Sequence, residues 1–249
     1  MAFVEYTLDE PIPHRPPHIQ PLIILQARMG STRLPGKVMM PLEGLPLVEG
    51  LLRRLTILHI PLILATSVAP KDNVLVEVAR RCNIPVFQGS EEDVLDRFYQ
   101  IVKGRHVDAV VRLTADCPLT DPVMVDRALD CFYQAGVDYL SNTLRRTYPK
   151  GFDIEIFKRS VLEETAANAT SPYEREHVTP YIMTHSGRFR LANFAARDDW
   201  SSWRLTVDTK ADYELVATVM AQLHGDTSYS AVKRVLRDHP DWRERNTIP

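Results

Sequence analysis

Cysteine is scarce in this chain: Cys82, Cys117 and Cys131 are the only three in 249 residues, and no two form a CxxC pair. A disulfide framework and a structural zinc site are therefore not expected, and a reducing, cytoplasmic setting is. Neither sign of charge dominates. A net charge of −2, with acidic and basic residues interspersed, leaves no broad basic surface for nucleic acid or an anionic membrane. No apolar run approaches membrane-spanning length, and the amino-terminal stretch lacks the apolar core of a signal peptide. Residues 1–19 carry Glu5, Asp9, Glu10 and most of the five prolines from Pro11 to Pro21, and read as a disordered extension. There is no internal repeat.

What remains is an α/β pattern long enough for one domain over residues 20–249. Apolar strands are expected over residues 22–25, 61–66, 86–87 and 108–114, with amphipathic helices between them. Asp72 and Ser90 are the expected helix caps, Asp93 sits as an imperfect capping-box partner, and another helix runs from Pro122 to about Ala135. This alternation predicts a mostly parallel sheet with helices on both faces, whose ligands bind beyond the strands' carboxyl ends. Residues 142–203 break the pattern and read as an insertion on that core.

The densest chemistry lies where the first of these strands ends. Leu22 to Leu25 lead into Gln26-Ala27-Arg28-Met29-Gly30-Ser31-Thr32-Arg33-Leu34-Pro35-Gly36-Lys37. Small residues let backbone N–H groups turn toward an anion, and Arg28, Arg33 and Lys37 supply countercharge, so the loop reads as a phosphate cradle. It is not a P-loop, because five residues separate Gly30 from Gly36 and Val38 stands where that motif needs a hydroxyl.

The loop resembles the signature Q-A-R-x-x-S-T-R-L-P-G-K of sugar-activating nucleotidyltransferases. In particular it resembles the spore-coat-polysaccharide branch of the CMP-sugar (acylneuraminate and 3-deoxy-manno-octulosonate) cytidylyltransferases. The similarity continues through Gly89 to Arg97, Arg112 to Leu119, Glu174 to Tyr181 and Arg204 to Thr209, covering roughly residues 20–225. It implies a Rossmann-like fold of the nucleotide-diphospho-sugar transferase type, with a segment that shapes a sugar pocket and exchanges contacts across a homodimer. The implied reaction moves CMP from CTP to a hydroxyl of an acidic 2-keto-3-deoxy sugar, such as legionaminic or sialic acid, with Mg²⁺ as cofactor.

By that resemblance Arg28 and Lys37 contact the phosphates, and Asp116 and Asp208, each at an expected strand end, hold Mg²⁺. Ala27, Gly30, Ser31 and Arg33 complete the nucleotide-binding loop, although Arg33 reads equally as a residue that pairs with an acid to hold the loop. Thr66 and Ser67, with Gln88 to Ser90, are candidates for reading the base, and ordinary turn chemistry accounts for them equally well. Asp153 and Glu155, in a D-x-D-like run on one expected strand face, and His177 are candidate sugar contacts. Asp93 and Arg97 stand four apart and read as a helix-surface pair, and Cys117 as packing under the metal site. Two other readings stay open: a glycosyltransferase consuming a nucleotide sugar, against which the strand-end D-x-D is missing, and a catalytically silent nucleotide-binding partner.

Overall fold

Leu22, Ile23, Ile24 and Leu25 are all buried, so the strand they form must be covered on both sides. In the computed structural model, which describes residues 2–246, they sit in β2 (Pro21–Gln26) near the middle of an eight-stranded sheet. Alternate residues of this strand enter two separate cores. Ile23 and Leu25 face one, and Leu22 and Ile24 the other.

In chain order the other elements are β1 (Val4–Thr7), the small β3–β4 hairpin (Pro41–Leu42 and Leu45–Pro46), α1 (Leu47–Leu55), β5 (Leu62–Ser67), α2 (Asn73–Arg81) and β6 (Val86–Gly89). They continue with α3 (Val94–Val102), β7 (Ala109–Thr114), α4 (Pro122–Ala135), β8 (Tyr139–Ser141), β9 (Glu155–Lys158) and α5 (Arg159–Asn168). The last are α6 (Pro172–His177), α7 (Pro180–Thr184), β10 (Leu191–Ala195), α8 (Lys210–Leu223) and α9 (Tyr229–Asp238). The strand order is β1-β10-β8-β9-β7-β2-β5-β6. All neighbours run parallel except β9, which is antiparallel to both β7 and β8. Helices α1, α2, α4, α8 and α9 cover the face to which Ile23 and Leu25 point, and α3, α5 and α7 cover the other. The predicted fold class is the observed one.

Local chemistry fixes several boundaries. In α4 the Asp121 carboxylate accepts from the Val123 N–H at 2.8 Å, Pro122 occupies the first turn, and Gly136 closes the helix with φ 61°. The expected cap of α3 is displaced. Asp93, not Ser90, is the N-cap, its carboxylate accepting from Asp96 N–H, while Ser90 Oγ accepts from Asp93 N–H.

Two broader expectations also change. Within residues 1–19, taken above as disordered, Val4–Thr7 pair in parallel with residues 192–195 at the sheet edge. Arg127 donates to the carbonyls of Leu8 and Glu10, and Arg15 donates to Asp130 at 2.7 Å. Composition could not show this, because every one of these partners is distant in sequence. Residues 142–203 are not an appendage either: β9 and β10 are interior strands of the main sheet. Residues 1 and 247–249, which the divisions at 19 and 20 include, lie outside the described residues. No helix among the described residues is long and apolar enough to cross a membrane.

Candidate active site

A cleft of about 430 Å³ opens past the carboxyl ends of β2 and β7, where a parallel sheet directs its loops toward ligands. It is lined by Ala27, Arg28, Ser31, Arg33, Lys37, Arg97, Asp116, Asp153, His177 and Asp208, among others. A larger cavity of about 760 Å³ lies at the opposite, amino end of the sheet beside Pro21, Pro61 and His106. None of the residues singled out for nucleotide or metal chemistry lines it, so volume does not identify the site; strand polarity and side-chain chemistry do.

The end of β7 and the run 204–208 are stitched together by backbone. The Asp116 carbonyl accepts from Val207 N–H at 2.8 Å and from Thr206 Oγ1 at 3.1 Å. Lys150 is bridged in parallel to Arg204, and Gly151 makes that approach feasible: a Cβ there would lie 2.5 Å from the Leu205 carbonyl carbon. The two aspartates thereby face one another across Lys37, whose ammonium donates to Asp116 at 2.8 Å and to Asp208 at 2.7 Å. Arg204 also donates to Asp208, and Arg33 meets it at 3.0 Å. A capping box in which Thr209 and Asp212 bond each other's backbone starts α8 directly after Asp208.

The electrostatics follow from that enclosure. Burial alone would raise the Asp208 carboxyl, but Lys37 and Arg204 outweigh it and hold it down at about 2. Burial would lower the Lys37 ammonium, and Asp116 and Asp208 together push it above its ordinary value. Both groups are therefore charged at neutral pH. Two carboxylates converging on one cation make a donor set suited to a hard divalent ion whose other positions are filled by phosphate and water. Among the described residues no group of three or more His, Cys, Asp or Glu side chains is placed to hold a metal. Cys117 lies beneath the two carboxylates, buried, with its thiol raised by desolvation and by Asp116, and it packs as expected.

The other side of the cleft is built by the first loop, α3 and α6. Arg28 meets Glu176 at 3.1 Å, and both are substantially exposed. Arg175 donates twice to Asp93, at 2.6 and 2.9 Å, fastening α6 to the start of α3. His177 ends α6, edge-on to the Tyr173 ring at 4.5 Å. Immediately after it, buried Val178 has φ 72° and ψ −55°, and Thr179 N–H donates to the His177 carbonyl at 2.9 Å. This is the strained hand of γ-turn, here on a β-branched residue. Backbone strain of this kind concentrates at functional sites.

The structure brings Ala27, Arg28, Ser31, Arg33, Lys37, Asp116, Asp208, Asp153 and His177 to one cleft. It does not bring the base-reading candidates there. The hydroxyls of Thr66 and Ser67 are buried and donate to Asp72 at 3.2 and 2.5 Å. Asp72 was expected to cap α2; its side chain instead accepts from these hydroxyls and from the N–H groups of Ser67 and Met29, pinning the first loop to β5. Gln88 donates to the Ser67 carbonyl, and Ser90 is spent on Asp93. Gly30 is roofed by the Lys71–Glu91 pair: a Cβ there would meet both side chains at 2.8 Å.

Glu155 departs from expectation too. Regular strand begins only at Glu155, so the alternation that would align it with Asp153 does not hold. Asp153 accepts from both Arg146 terminal nitrogens at 2.5 and 2.9 Å and borders the cleft. Glu155 is buried, accepting from Tyr139 at 2.7 Å, Thr179 at 2.6 Å and Arg112. It is scaffold. Sequence reasoning gave no role to Arg112, although it opens one of the runs that carry the resemblance, or to Lys150, which has no motif signal; both line the cleft. It also gave Arg97 the wrong partner.

Comparison with known proteins bears on the same residues. The cytidylyltransferase family model matches residues 22–235. The spore coat polysaccharide biosynthesis protein SpsF of Bacillus subtilis is 34% identical over 231 residues, covering 88% of this chain and 95% of that protein. A cytidylyltransferase structure from Leptospira borgpetersenii superposes with a TM-score of 0.88 at 34% identity, covering 93% of this chain and all of that one. The CMP:2-keto-3-deoxy-manno-octonic acid synthetase solved with CTP shares the fold, with a TM-score of 0.62 at 20% identity over 82% of this chain and 99% of that one. Agreement along most of the chain, in sequence and in fold, means that this protein belongs to the cytidylyltransferase family and is a nucleotidyltransferase.

Proposed function

We propose that the protein transfers CMP from CTP to a hydroxyl of an acidic 2-keto-3-deoxy sugar, releasing pyrophosphate, as a step in cell-surface or spore-coat polysaccharide biosynthesis. The observation that carries this reading is the convergence of Lys37, Asp116 and Asp208 on one point beside Arg28 and Arg33. In the reaction the sugar oxygen bonds to the α-phosphorus, the bond from that phosphorus to the bridging oxygen breaks, and the hydroxyl proton is lost. Lys37, Arg28 and Arg33 place cations where the transferring and departing phosphates gain charge. Asp116 and Asp208 are the residues that would hold Mg²⁺, which when bound neutralises phosphate charge and activates the attacking hydroxyl. Ala27, Ser31, Asp153 and His177 line the same cleft; in this reading the first two would contact the nucleotide and the last two the sugar.

A homodimer working in the cytoplasm belongs to the same proposal, supported by three free thiols and the resemblance already described. The test is a pyrophosphate-release screen of four nucleoside triphosphates against a panel of 2-keto-3-deoxy sugar acids, with and without Mg²⁺. Metal-dependent release with CTP and at least one such acid is expected. No release with CTP and any acid overturns the assignment.

A further inference from the structure

The cavity of about 760 Å³ at the amino end of the sheet has no part in the chemistry proposed above, yet it exceeds the catalytic cleft in volume. Part of its wall comes from residues 14–20, which precede the stretch 22–235 matched by the family model. This segment is tied down at both ends. At one end Asp130, 3% exposed, accepts from the Arg15 N–H at 3.1 Å and from the Arg15 guanidinium at 2.7 Å, with His14 Nδ1 2.9 Å away. At the other, Gln20 N–H donates to the Asp108 carboxylate at 2.7 Å, and the Gln20 carbonyl accepts from Asp108 N–H at 3.0 Å. Between these ties the chain walls a hollow whose apolar lining includes Leu22, Leu58, Ile60 and Val107.

Charge around the hollow is one-sided. Its two acids, Asp126 and Asp130, are both taken by Arg15, at 2.8 and 2.7 Å. The side chains of His59, Arg105 and His106 also line it, and they have no hydrogen-bond or ion-pair partner among the described residues. Such cations on an open surface are simply solvated; here they border an apolar hollow of ligand size, since small-molecule sites run to roughly 300–1,000 Å³. Pro16, Pro17, Pro21 and Pro61 add flat, rigid ring faces to the lining. The hollow is also remote from the catalytic cleft. Pro21 lines the one and Gln26 the other, at opposite ends of β2, which at about 3.3 Å per residue sets them roughly 16 Å apart.

We propose that this cavity is a second ligand site, separate from the active cleft, and that it takes an aromatic acid. The ring lies on the apolar floor and the proline faces, and the anion meets Arg105 and the two histidines. A cationic ligand finds no free carboxylate there, because Arg15 neutralises both. A neutral ring fills the hollow without using the cations.

Isothermal titration calorimetry with 1-naphthoate as the probe tests this on the wild-type protein, Arg105→Glu, His106→Glu, Val107→Asp and Arg28→Ala. Wild-type protein is expected to bind one 1-naphthoate per chain, and the neutral 1-naphthol about tenfold or more weakly by comparison. Arg105 and His106 are exposed, so reversing either charge spares the fold. Each reversal should weaken 1-naphthoate by about tenfold or more and leave 1-naphthol unchanged. Val107→Asp should abolish binding of both, and the two charge reversals carry the test if that variant does not fold. Arg28→Ala, in the catalytic cleft, should bind 1-naphthoate like wild type. The proposal is overturned by wild-type protein that binds no 1-naphthoate at millimolar concentration, or binds acid and alcohol equally. Binding that survives both charge reversals but is lost in Arg28→Ala overturns it too, by placing the acid in the catalytic cleft.

Discussion

The two walls of the cleft are opposites in how they handle charge. On the wall formed by the end of β7 and residues 204–208, Lys37, Asp116, Asp208 and Arg204 are mutually neutralised within hydrogen-bonding distance. On the wall formed by α3 and α6, the acids are bound to other partners and the buried Arg97 is left with none among the described residues. The first wall contributes to the stability of the protein; the second carries a buried cation with no hydrogen-bond partner among the described residues. A charge network that is complete without ligand must rearrange to use its groups, whereas an incomplete one is already poised.

The largest effect should follow from removing the ammonium at the centre of the complete network. Lys37→Ala should lower kcat/KM on the order of ten- to a thousandfold, because it deletes a cation aimed at developing phosphate charge. Steady-state kinetics of CTP-dependent pyrophosphate release measure it, and wild-type turnover would erase the distinction between the walls.

Asp208→Asn comes next, and is read in stability. Neutralising one partner of a buried network should cost about 3 kcal/mol in denaturant unfolding. The pH dependence has a defined sign. The folded carboxyl at about 2 lies below its ordinary value near 4, so its contribution is full above roughly pH 4 and disappears as pH falls toward 2. In Asp208→Asn that part of the acid-denaturation curve should flatten.

The contrasting variant is Arg97→Met. Removing a buried charge that lacks a partner should leave the empty protein as stable as wild type or more stable by about 1 kcal/mol, the reverse of the effect at Asp208. A clear loss in Tm would show that the two walls are alike. The smallest change is expected at Glu176→Gln, which releases Arg28 from an exposed pair. Thermal unfolding should show a shift within about 0.5 kcal/mol.

Legibility in the sequence followed the range of the interactions. Strand β2 with its loop, the helix α4 with its cap and stop, and the positions of Lys37, Asp116 and Asp208 were readable because each is signalled by neighbours in the chain or by a continuous motif. Arg97 was not. The pair with Asp93 looked sound at helical spacing, but Arg175 takes that carboxylate from far along the chain. For Thr66 and Ser67 base reading and turn chemistry stood equal in the sequence, and only the structure shows their hydroxyls donating to a buried Asp72. Glu155 needed knowledge of where its strand starts, and a strand boundary is set by pairing with β7 and β8 rather than by local composition.

The parallel edge strand near the amino terminus has a consequence for the order of events during synthesis. Residues 4–7 leave the ribosome long before residues 192–195, the strand to which they are paired. No local contact can reward their ordering in the interval, since a parallel partner requires a crossover and closure of a very long loop. This edge is therefore the last part of the sheet to be completed on a nascent chain. Until then the region must survive as an unpaired segment, and its prolines and its acidic Glu5, Asp9 and Glu10 are suited to that wait because they disfavour pairing with other chains.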